Sequence, residues 1–243
     1  MRAVLRAQGL SVRYGHRTIF ESVDASFDAG SLVALIGPNG AGKSSLLRVL
    51  AGTQRPSAGS VERHAGAALV ATALPLPPDV TPAQLSGYVL ALRRPWWLVR
   101  QTDAERASIA AALERAGLRD RADDAAATLS SGEVQRAWIA AALATDAGAV
   151  LIDEPTTHLD VRYQLEVLRT LKTIARSGIA VVAAIHDLTL AARFADSIAL
   201  LAGGALASGP PAAILRAPTL THAFGVEVAT YTDAEGYVVC TPR

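Results

Sequence analysis

Several features are scarce in this sequence, and each scarcity narrows what the chain can be. Its 243 residues include one cysteine, Cys240. One thiol cannot build a disulfide framework within a chain, which suits a reducing compartment, and Cys240 reads as a bystander. Charge of one sign is also lacking. The 23 Lys and Arg nearly cancel the 22 Asp and Glu, leaving a net charge of +1 and a pI near 8.0. Such a balance carries no electrostatic footprint for nucleic acid. No apolar run approaches the roughly 18 residues that span a bilayer. The opening Met1-Arg2-Ala3-Val4-Leu5-Arg6 has no secretion-signal core. The expectation is a soluble cytoplasmic chain that reaches a membrane only through a partner. Internal repeats and low-complexity tracts are missing too. What remains is 51% hydrophobic and 19% charged, enough apolar material for one large α/β domain or two small ones.

The most informative stretch is Gly37-Pro38-Asn39-Gly40-Ala41-Gly42-Lys43-Ser44-Ser45. It fits G-x-x-x-x-G-K-[ST], the phosphate-binding loop of nucleotide hydrolases. An apolar run, Leu32-Val33-Ala34-Leu35-Ile36, precedes it, and a helix-like run, Ser45-Leu46-Leu47-Arg48-Val49-Leu50-Ala51, follows. That strand-loop-helix setting is what the motif requires. Gly37, Gly40 and Gly42 let backbone N–H groups approach phosphate oxygens that a side chain would block. The following helix adds its positive end. Lys43 is placed to reach the β- and γ-phosphates, and the Ser44 hydroxyl to ligate magnesium.

In chain order, residues 4–13 alternate loosely up to a turn at Tyr14-Gly15, and period-two alternation predicts a strand over 22–28. Short strands are predicted over 60–62 and 67–71. Pro75, Pro77, Pro78 and Pro82 mark an irregular connector. Helical patterns dominate from about 82 to 145, with Asp103 as the expected N-cap of a helix over 104–116. Arg93-Arg94-Pro95-Trp96-Trp97 interrupts them, its two tryptophans serving either small-subdomain packing or a partner contact. From 149 the α/β alternation returns. Apolar strands are predicted over 149–152, 179–185 and 197–201, with a helix over 161–175 between the first two. Such a pattern predicts a parallel sheet buried on both faces. Active groups then belong at the carboxyl ends of its strands. Lys43, Asp153 and His186 all lie just after such ends.

Asp153 can hold Mg²⁺ through water while Ser44 coordinates it directly. Glu154 is placed to polarise a water for in-line attack on the γ-phosphate. His186 ends the next apolar strand and can contact that phosphate and water. Leu129-Ser130-Ser131-Gly132-Glu133 opens a helix-like run over 134–144. Ser130 is an N-cap-type residue, and Gly132 permits close approach by phosphate. This segment lies about 20 residues before Asp153 and about 85 after Lys43. It resembles the signature of ATP-binding-cassette (ABC) ATPases.

The resemblance covers almost the whole chain. Tyr14 matches the aromatic that stacks on adenine, 37–45 the Walker A loop, and 150–154 Walker B with its glutamate. Thr156-Thr157-His158-Leu159-Asp160 matches the D-loop, and His186 the switch histidine. The resemblance implies an α/β fold, the P-loop NTPase ABC cassette. It has a mainly parallel sheet core, an N-terminal antiparallel β-subdomain and an inserted helical subdomain. Residues 1–243 form a single domain, with 1–74 and 146–243 as core and β-subdomain and 82–145 as the helical signature subdomain. It also implies ATP and Mg²⁺ as ligands. Two cassettes close head to tail around two ATP, each phosphate loop facing the partner's Ser130-Ser131-Gly132, with Glu133 and Asp160 in the same composite site. The other partners are transmembrane permease subunits and, indirectly, a substrate-binding protein. The location is peripheral, on the inner face of the cell membrane.

Within that superfamily the chain looks most similar to importer ATPases for iron-siderophores, haem and cobalamin. The residues are Glu154-Pro155-Thr156-Thr157-His158-Leu159-Asp160, His186-Asp187-Leu188, the stretch 205–213, and Phe224-Gly225-Val226. Pro95-Trp96-Trp97 and Thr102-Asp103-Ala104-Glu105 are similar as well. Zinc and manganese importer ATPases share most of these features and remain an alternative. So do other ABC systems and a nucleotide-dependent interaction module with weak hydrolysis.

Three departures stand out. Where the family has a glutamine that touches Mg²⁺, this chain has Val70-Ala71-Thr72-Ala73-Leu74. Thr72 offers a hydroxyl but is too short to bridge the same gap. Ser131 stands where glycine is usual, and Glu133 where glutamine is common. The 60–71 region is also short, predicting a trimmed β-subdomain. Two readings follow. The chain is an active but slower or less tightly coupled ATPase, or it is one half of a pair whose other half carries the better signature.

Overall fold

A computed structural model describes residues 3–71, 75–93 and 100–243. The chain begins with two long antiparallel strands, β1 (Ala3–Tyr14) and β2 (Arg17–Asp28). β2 starts at Arg17, well before the predicted 22. Ser22 adopts a left-handed φ of 52°, and the register slips between Leu10↔Val23 and Val12↔Phe20. Such a bulge changes the phase of alternation, so only the second half of the strand shows period two.

β3 (Leu32–Ile36) is wholly buried and runs through the phosphate loop into α1 (Lys43–Ala51). β4 (Ala58–Arg63) adds to the free edge of β1, giving the three-stranded sheet β2-β1-β4. β5 (Ala67–Val70) does not join it. It pairs in parallel with β6 (Ala149–Asp153). Between β5 and β6 come α2 (Pro82–Ala91), α3 (Asp103–Arg115) and α4 (Ser131–Leu143). Each opens on a capping box, in which a hydroxyl and a carboxylate or amide three residues on satisfy each other's backbone N–H. The pairs are Thr81 with Gln84, Thr102 with Glu105, and Ser130 with Glu133. The expected cap at Asp103 is thereby corrected: Thr102 caps α3, because its hydroxyl meets the Glu105 amide while Asp103 is already in the helix. Thr72, Ala73 and Leu74, and the Pro95-Trp96-Trp97 segment, lie outside the described residues.

After β6 come α5 (Val161–Arg176), β7 (Ala180–Ala184), α6 (Leu188–Phe194), β8 (Ser197–Ala202) and β9 (Ala205–Gly209). The six-stranded sheet runs β5-β6-β7-β3-β8-β9, parallel except for β9. Alternate residues of its central strands feed two cores. Leu32, Ala34, Ile36, Val150, Ile152, Val181 and Ala183 pack toward the helices, with Val167, Leu168, Leu171 and Ile174 of α5. Val33, Leu35, Ala149, Leu151, Val182 and Ala184 pack on the opposite face, against Leu5, Leu10 and Phe20 of the antiparallel sheet and Leu46, Leu47 and Leu50 of α1. Two buried faces explain why these strands read as unbroken apolar runs. α7 (Pro211–Ile214), α8 (Ala217–Phe224) and a hairpin of β10 (Val228–Thr232) and β11 (Val238–Pro242) complete the fold. The alternation at 228–242 is too mixed with polar residues to announce that hairpin. Among the described residues, no helix is long and apolar enough to cross a membrane.

Candidate functional site

The strand order decides which loops meet. β7 lies between β6 and β3, so the loops that leave their carboxyl ends are neighbours. The phosphate loop leaves β3, Asp153 and Glu154 end β6, and His186 follows β7.

In the phosphate loop, Gly37 has φ 150°, and a Cβ there would lie 2.1 Å from the Leu201 carbonyl oxygen of β8. Backbone from the adjacent strand therefore forbids any side chain at that position. Gly42 caps α1 with no side-chain hydrogen bond, and no acidic residue sits in the first turn. The amides at this helix end face no competing carboxylate of their own helix, the arrangement that suits an anion. Lys43 is buried. Its Nζ donates to the Gly37 carbonyl at 2.8 Å and the Pro38 carbonyl at 3.1 Å. Burial pulls its ammonium pKa below the ordinary value, while the Glu154 and Asp153 carboxylates work against that.

Around the loop is a cleft of about 300 Å³ lined by Tyr14, Asn39, Gly40, Lys43, Ser44 and Glu154, with Gly42 and Ser45. Arg17 and Ile19 also line it, and sequence reasoning missed both. Their signal lay in the turn: Arg17 pairs with Tyr14 across the β1–β2 hairpin. Larger cavities lie between α2 and α3 (about 630 Å³) and between α5 and α6 (about 670 Å³). Neither borders the phosphate loop. Tyr14 keeps a half-exposed ring. Its hydroxyl donates to Gln54 Oε1 at 3.0 Å and lies 3.0 Å from Ser45 Oγ.

Asp153 Oδ1 is buried and has no hydrogen-bond partner. An orphaned carboxylate oxygen is costly, and together with the Ser44 hydroxyl it makes a hard oxygen donor set of the kind magnesium takes. These residues fit that ion. Glu154 adopts a left-handed φ of 53°, a strained conformation for a non-glycine residue. Its Oε1 accepts from His186 Nε2 at 2.8 Å and its Oε2 from the Thr157 hydroxyl at 3.1 Å. The His186 bond leads the causes that hold the Glu154 carboxyl below the usual glutamate range. Burial opposes it, and Thr157 and the Lys43 charge add to it.

Residues 130–133 do not line the cleft. Ser130 and Glu133 satisfy each other: the Ser130 amide and hydroxyl donate to Glu133 Oε2 at 2.8 and 2.9 Å. Burial raises the Glu133 carboxyl pKa, but the Ser130 bonds, Arg121 and Arg136 outweigh it and leave a net lowering. Ser131 is the first residue of α4. Gly132 has a reason the sequence did not reveal: a Cβ there would lie 2.9 Å from Tyr163 Cδ1. Asp160 caps α5 by accepting from the Tyr163 amide at 3.0 Å. Thr72 is outside the described residues.

Comparison with known proteins follows the same lines. The family described as ABC transporter matches residues 20–157. A hemin import ATP-binding protein, HmuV, of Rhodopseudomonas palustris is 39% identical over 98% of this chain and 94% of its own length. Its namesake in Nocardia farcinica is 41% identical over 90% and 82%. A cobalamin import ATP-binding protein, BtuD, of Halobacterium salinarum is 39% identical over 98% of this chain and 63% of its own length. Among solved structures, one chain of a structure described as an inward-facing conformation of a metal-chelate type ABC transporter superposes with a TM-score of 0.87. It is 24% identical over 100% of this chain and 98% of that one. The ADP conformation of another ABC cassette gives 0.79, at 20% identity over 91% and 98%. The phosphate loop and the carboxylate–histidine pair thus sit on the ATP-binding-cassette fold, and the chain belongs to the ABC transporter family.

Proposed function

We propose that this chain is the ATP-hydrolysing subunit of an importer that takes up a metal chelate of the haem, cobalamin or iron-siderophore type. The observation that carries the ATPase reading is the pair Glu154–His186 at 2.8 Å, beside a buried Lys43 and an intact phosphate loop. The cargo class rests on a hemin importer relative that matches nearly end to end and on a cobalamin importer relative that matches 98% of this chain.

Each residue has a task in this reading. The amides of 40–45 and Lys43 hold the β- and γ-phosphates. Tyr14 stacks on the adenine, and Arg17 and Ile19 complete that wall. Ser44 and Asp153 hold magnesium, which when bound neutralises charge developing on the phosphate oxygens. Thr72 is the remaining candidate donor. Glu154 orients and deprotonates the attacking water, and His186 holds the Glu154 carboxylate in its strained pose. The lowered pKa of that carboxylate keeps it ionised and available as a hydrogen-bond acceptor for that water.

The composite site is completed by a second copy of the chain, whose Ser130-Ser131-Gly132, Glu133 and Asp160 face this phosphate loop. That residues 130–133 lie away from their own cleft supports such a head-to-tail homodimer. The whole chain acts as one cassette. Residues 1–74 and 146–243 supply the nucleotide site, and 82–145 carry the signature. The dimer sits on permease subunits at the inner face of the membrane, fed by a substrate-binding protein. Steady-state phosphate release, measured alone and with the permease reconstituted in vesicles, tests the reading. Turnover that rises with permease and haem- or cobalamin-loaded binding protein is the expected result. Stimulation by zinc or manganese instead would move the chain to that branch. ATP binding with no turnover in either setting would leave an interaction module.

A further inference from the structure

Two segments that the proposed function sends to the partner's nucleotide are tied together within each chain. The first is the N-terminal turn of α4, residues 130–133. The second is the loop 156–160 that leads into α5. Neither touches the other directly in the contacts described above. The first two turns of α5 join them.

Beside the shared apolar core of the two helices, two side-chain contacts tie the seam near the α4 terminus. At one, the Tyr163 side chain lies against the α-carbon of Gly132, close enough that a Cβ there would sit 2.9 Å from Tyr163 Cδ1 and 3.0 Å from Tyr163 Cβ. At the other, Arg136 Nη1 donates to Glu166 Oε2 at 3.1 Å, with the Arg136 side chain only 12% exposed. Glu166 Oε1 accepts in turn from Arg162 Nε at 3.0 Å. These bonds, Arg162 first and then Arg136, hold the Glu166 carboxyl below its usual range. Gly132 and Arg136 are four apart on α4, and Tyr163 and Glu166 three apart on α5, so both pairs stack one helical turn apart. A single contact is a pivot; two contacts about 6 Å apart along the axis fix the crossing of the helices.

α5 is also tied to the loop before it. The Tyr163 amide donates to Asp160 Oδ1 at 3.0 Å, and Gln164 Nε2 donates to the Leu159 carbonyl at 3.0 Å. A tilt of the α4 terminus must therefore move Tyr163, and with it the backbone at 159–160.

We infer that Tyr163, Glu166 and Arg136 are positioning residues that make the 130–133 turn and the 156–160 loop one rigid body. That body is presented as a unit to the nucleotide of the opposite chain. The inference rests on the head-to-tail ATPase reading. None of the three side chains lines the chain's own cleft, so breaking the seam spares ATP binding by one chain and impairs the step that needs both. Misplacing a site by an ångström can cost up to about a hundredfold in rate.

The test compares Glu166→Ala, Tyr163→Ala, and the charge exchange Arg136→Glu with Glu166→Arg, using Arg169→Ala as a control at an exposed residue of α5 outside the seam. ATP affinity by calorimetry is expected to stay within about twofold in every variant, since the own-cleft contacts are untouched. Turnover is expected to fall about tenfold or more in both single alanine variants, to lose its cooperativity in ATP, and to recover in large part in the charge exchange. Arg169→Ala is expected to turn over at close to the wild-type rate. Unchanged turnover in both alanine variants overturns the inference. So does a fall in ATP affinity equal to the fall in rate, because the lesion then lies in the chain's own cleft.

Hydrogen exchange decides independently of activity. In Glu166→Ala the amides at 131–136 and at 157–164 are expected to lose protection together while 43–50 do not change. Loss in only one segment shows that they are not one body. A wild-type chain without turnover would sink the ATPase reading, and the exchange experiment would still settle the seam.

Discussion

His186 Nε2 donates to Glu154 Oε1 at 2.8 Å, although the two residues are far apart in the chain. They meet because β6 and β7 pair directly and in parallel, with Asp153 opposite Ala184, so both residues leave the sheet at the same end. Glu154 is also forced into a left-handed backbone conformation, φ 53°. The histidine and Thr157 fix both carboxylate oxygens there, which leaves the group ionised and aimed.

Glu154→Gln keeps the shape and one of the two acceptor oxygens but removes the base. ATP binding is expected to remain within about twofold, while phosphate release falls by about 10²–10⁴-fold. Turnover at the wild-type rate would remove Glu154 from the chemistry.

Lys43→Ala removes a buried cation that holds the Gly37 and Pro38 carbonyls and faces the phosphate site. A charge-assisted contact is worth about 1.5–3 kcal/mol, so ATP affinity by calorimetry should weaken by roughly ten- to a hundredfold. Unchanged affinity would show that phosphate is held elsewhere.

Acid titration reads the Glu154 bond directly. Its folded pKa is lowered from an unfolded value of about 4.3. The stabilisation is therefore complete above the unfolded value and is lost as pH falls from about 4.3 through the folded value. The melting-temperature gap between wild type and Glu154→Gln is expected to narrow as pH falls from about 6 to about 3. A gap that is constant over this range means that the carboxylate gains nothing from His186.

Ser130 bonds the Glu133 amide and carboxylate at the start of α4. Ser130→Ala should cost about 1 kcal/mol, a fall of about 2–4 °C in Tm for a chain of this size. No fall in a thermal melt would mean that the capping box is not formed in solution.

Tyr14 contributes a ring to the cleft and a hydroxyl to Ser45 and Gln54. Tyr14→Ala is expected to weaken ATP by about two- to tenfold, the worth of one aromatic contact. Tyr14→Phe should weaken it less, since only the tether is lost. Equal affinity for all three proteins would exclude adenine stacking at this position.

Much of this site is visible in the bare sequence. A loop with the spacing G-x-x-x-x-G-K-[ST] between an apolar strand and a helix marks a phosphate site, because its glycines let backbone amides reach phosphate oxygens. The strands at 149–153 and 180–184 were legible because burial on both faces leaves them almost wholly apolar. Asp153 and His186 could then be placed by the rule that loops at carboxyl strand ends carry the chemistry. What escaped depends on contacts between distant segments. The bulge at Ser22 hid the first half of β2, and the C-terminal hairpin lacked a clean alternation. Arg17 and Ile19 enter the cleft only through the β1–β2 register. The seam from Gly132 to Tyr163 and from Arg136 to Glu166 joins residues 30 or more apart. No periodicity reports it, because each partner alone is an ordinary helical residue. Local pattern therefore determined the phosphate loop, the strands and the identity of the reacting groups, since these depend on backbone freedom and burial over a few residues. Tertiary packing alone decided that Tyr163 crowds Gly132, that Asp153 keeps a free oxygen, and that Glu154 meets His186, since each requires two strands or helices to arrive at one place.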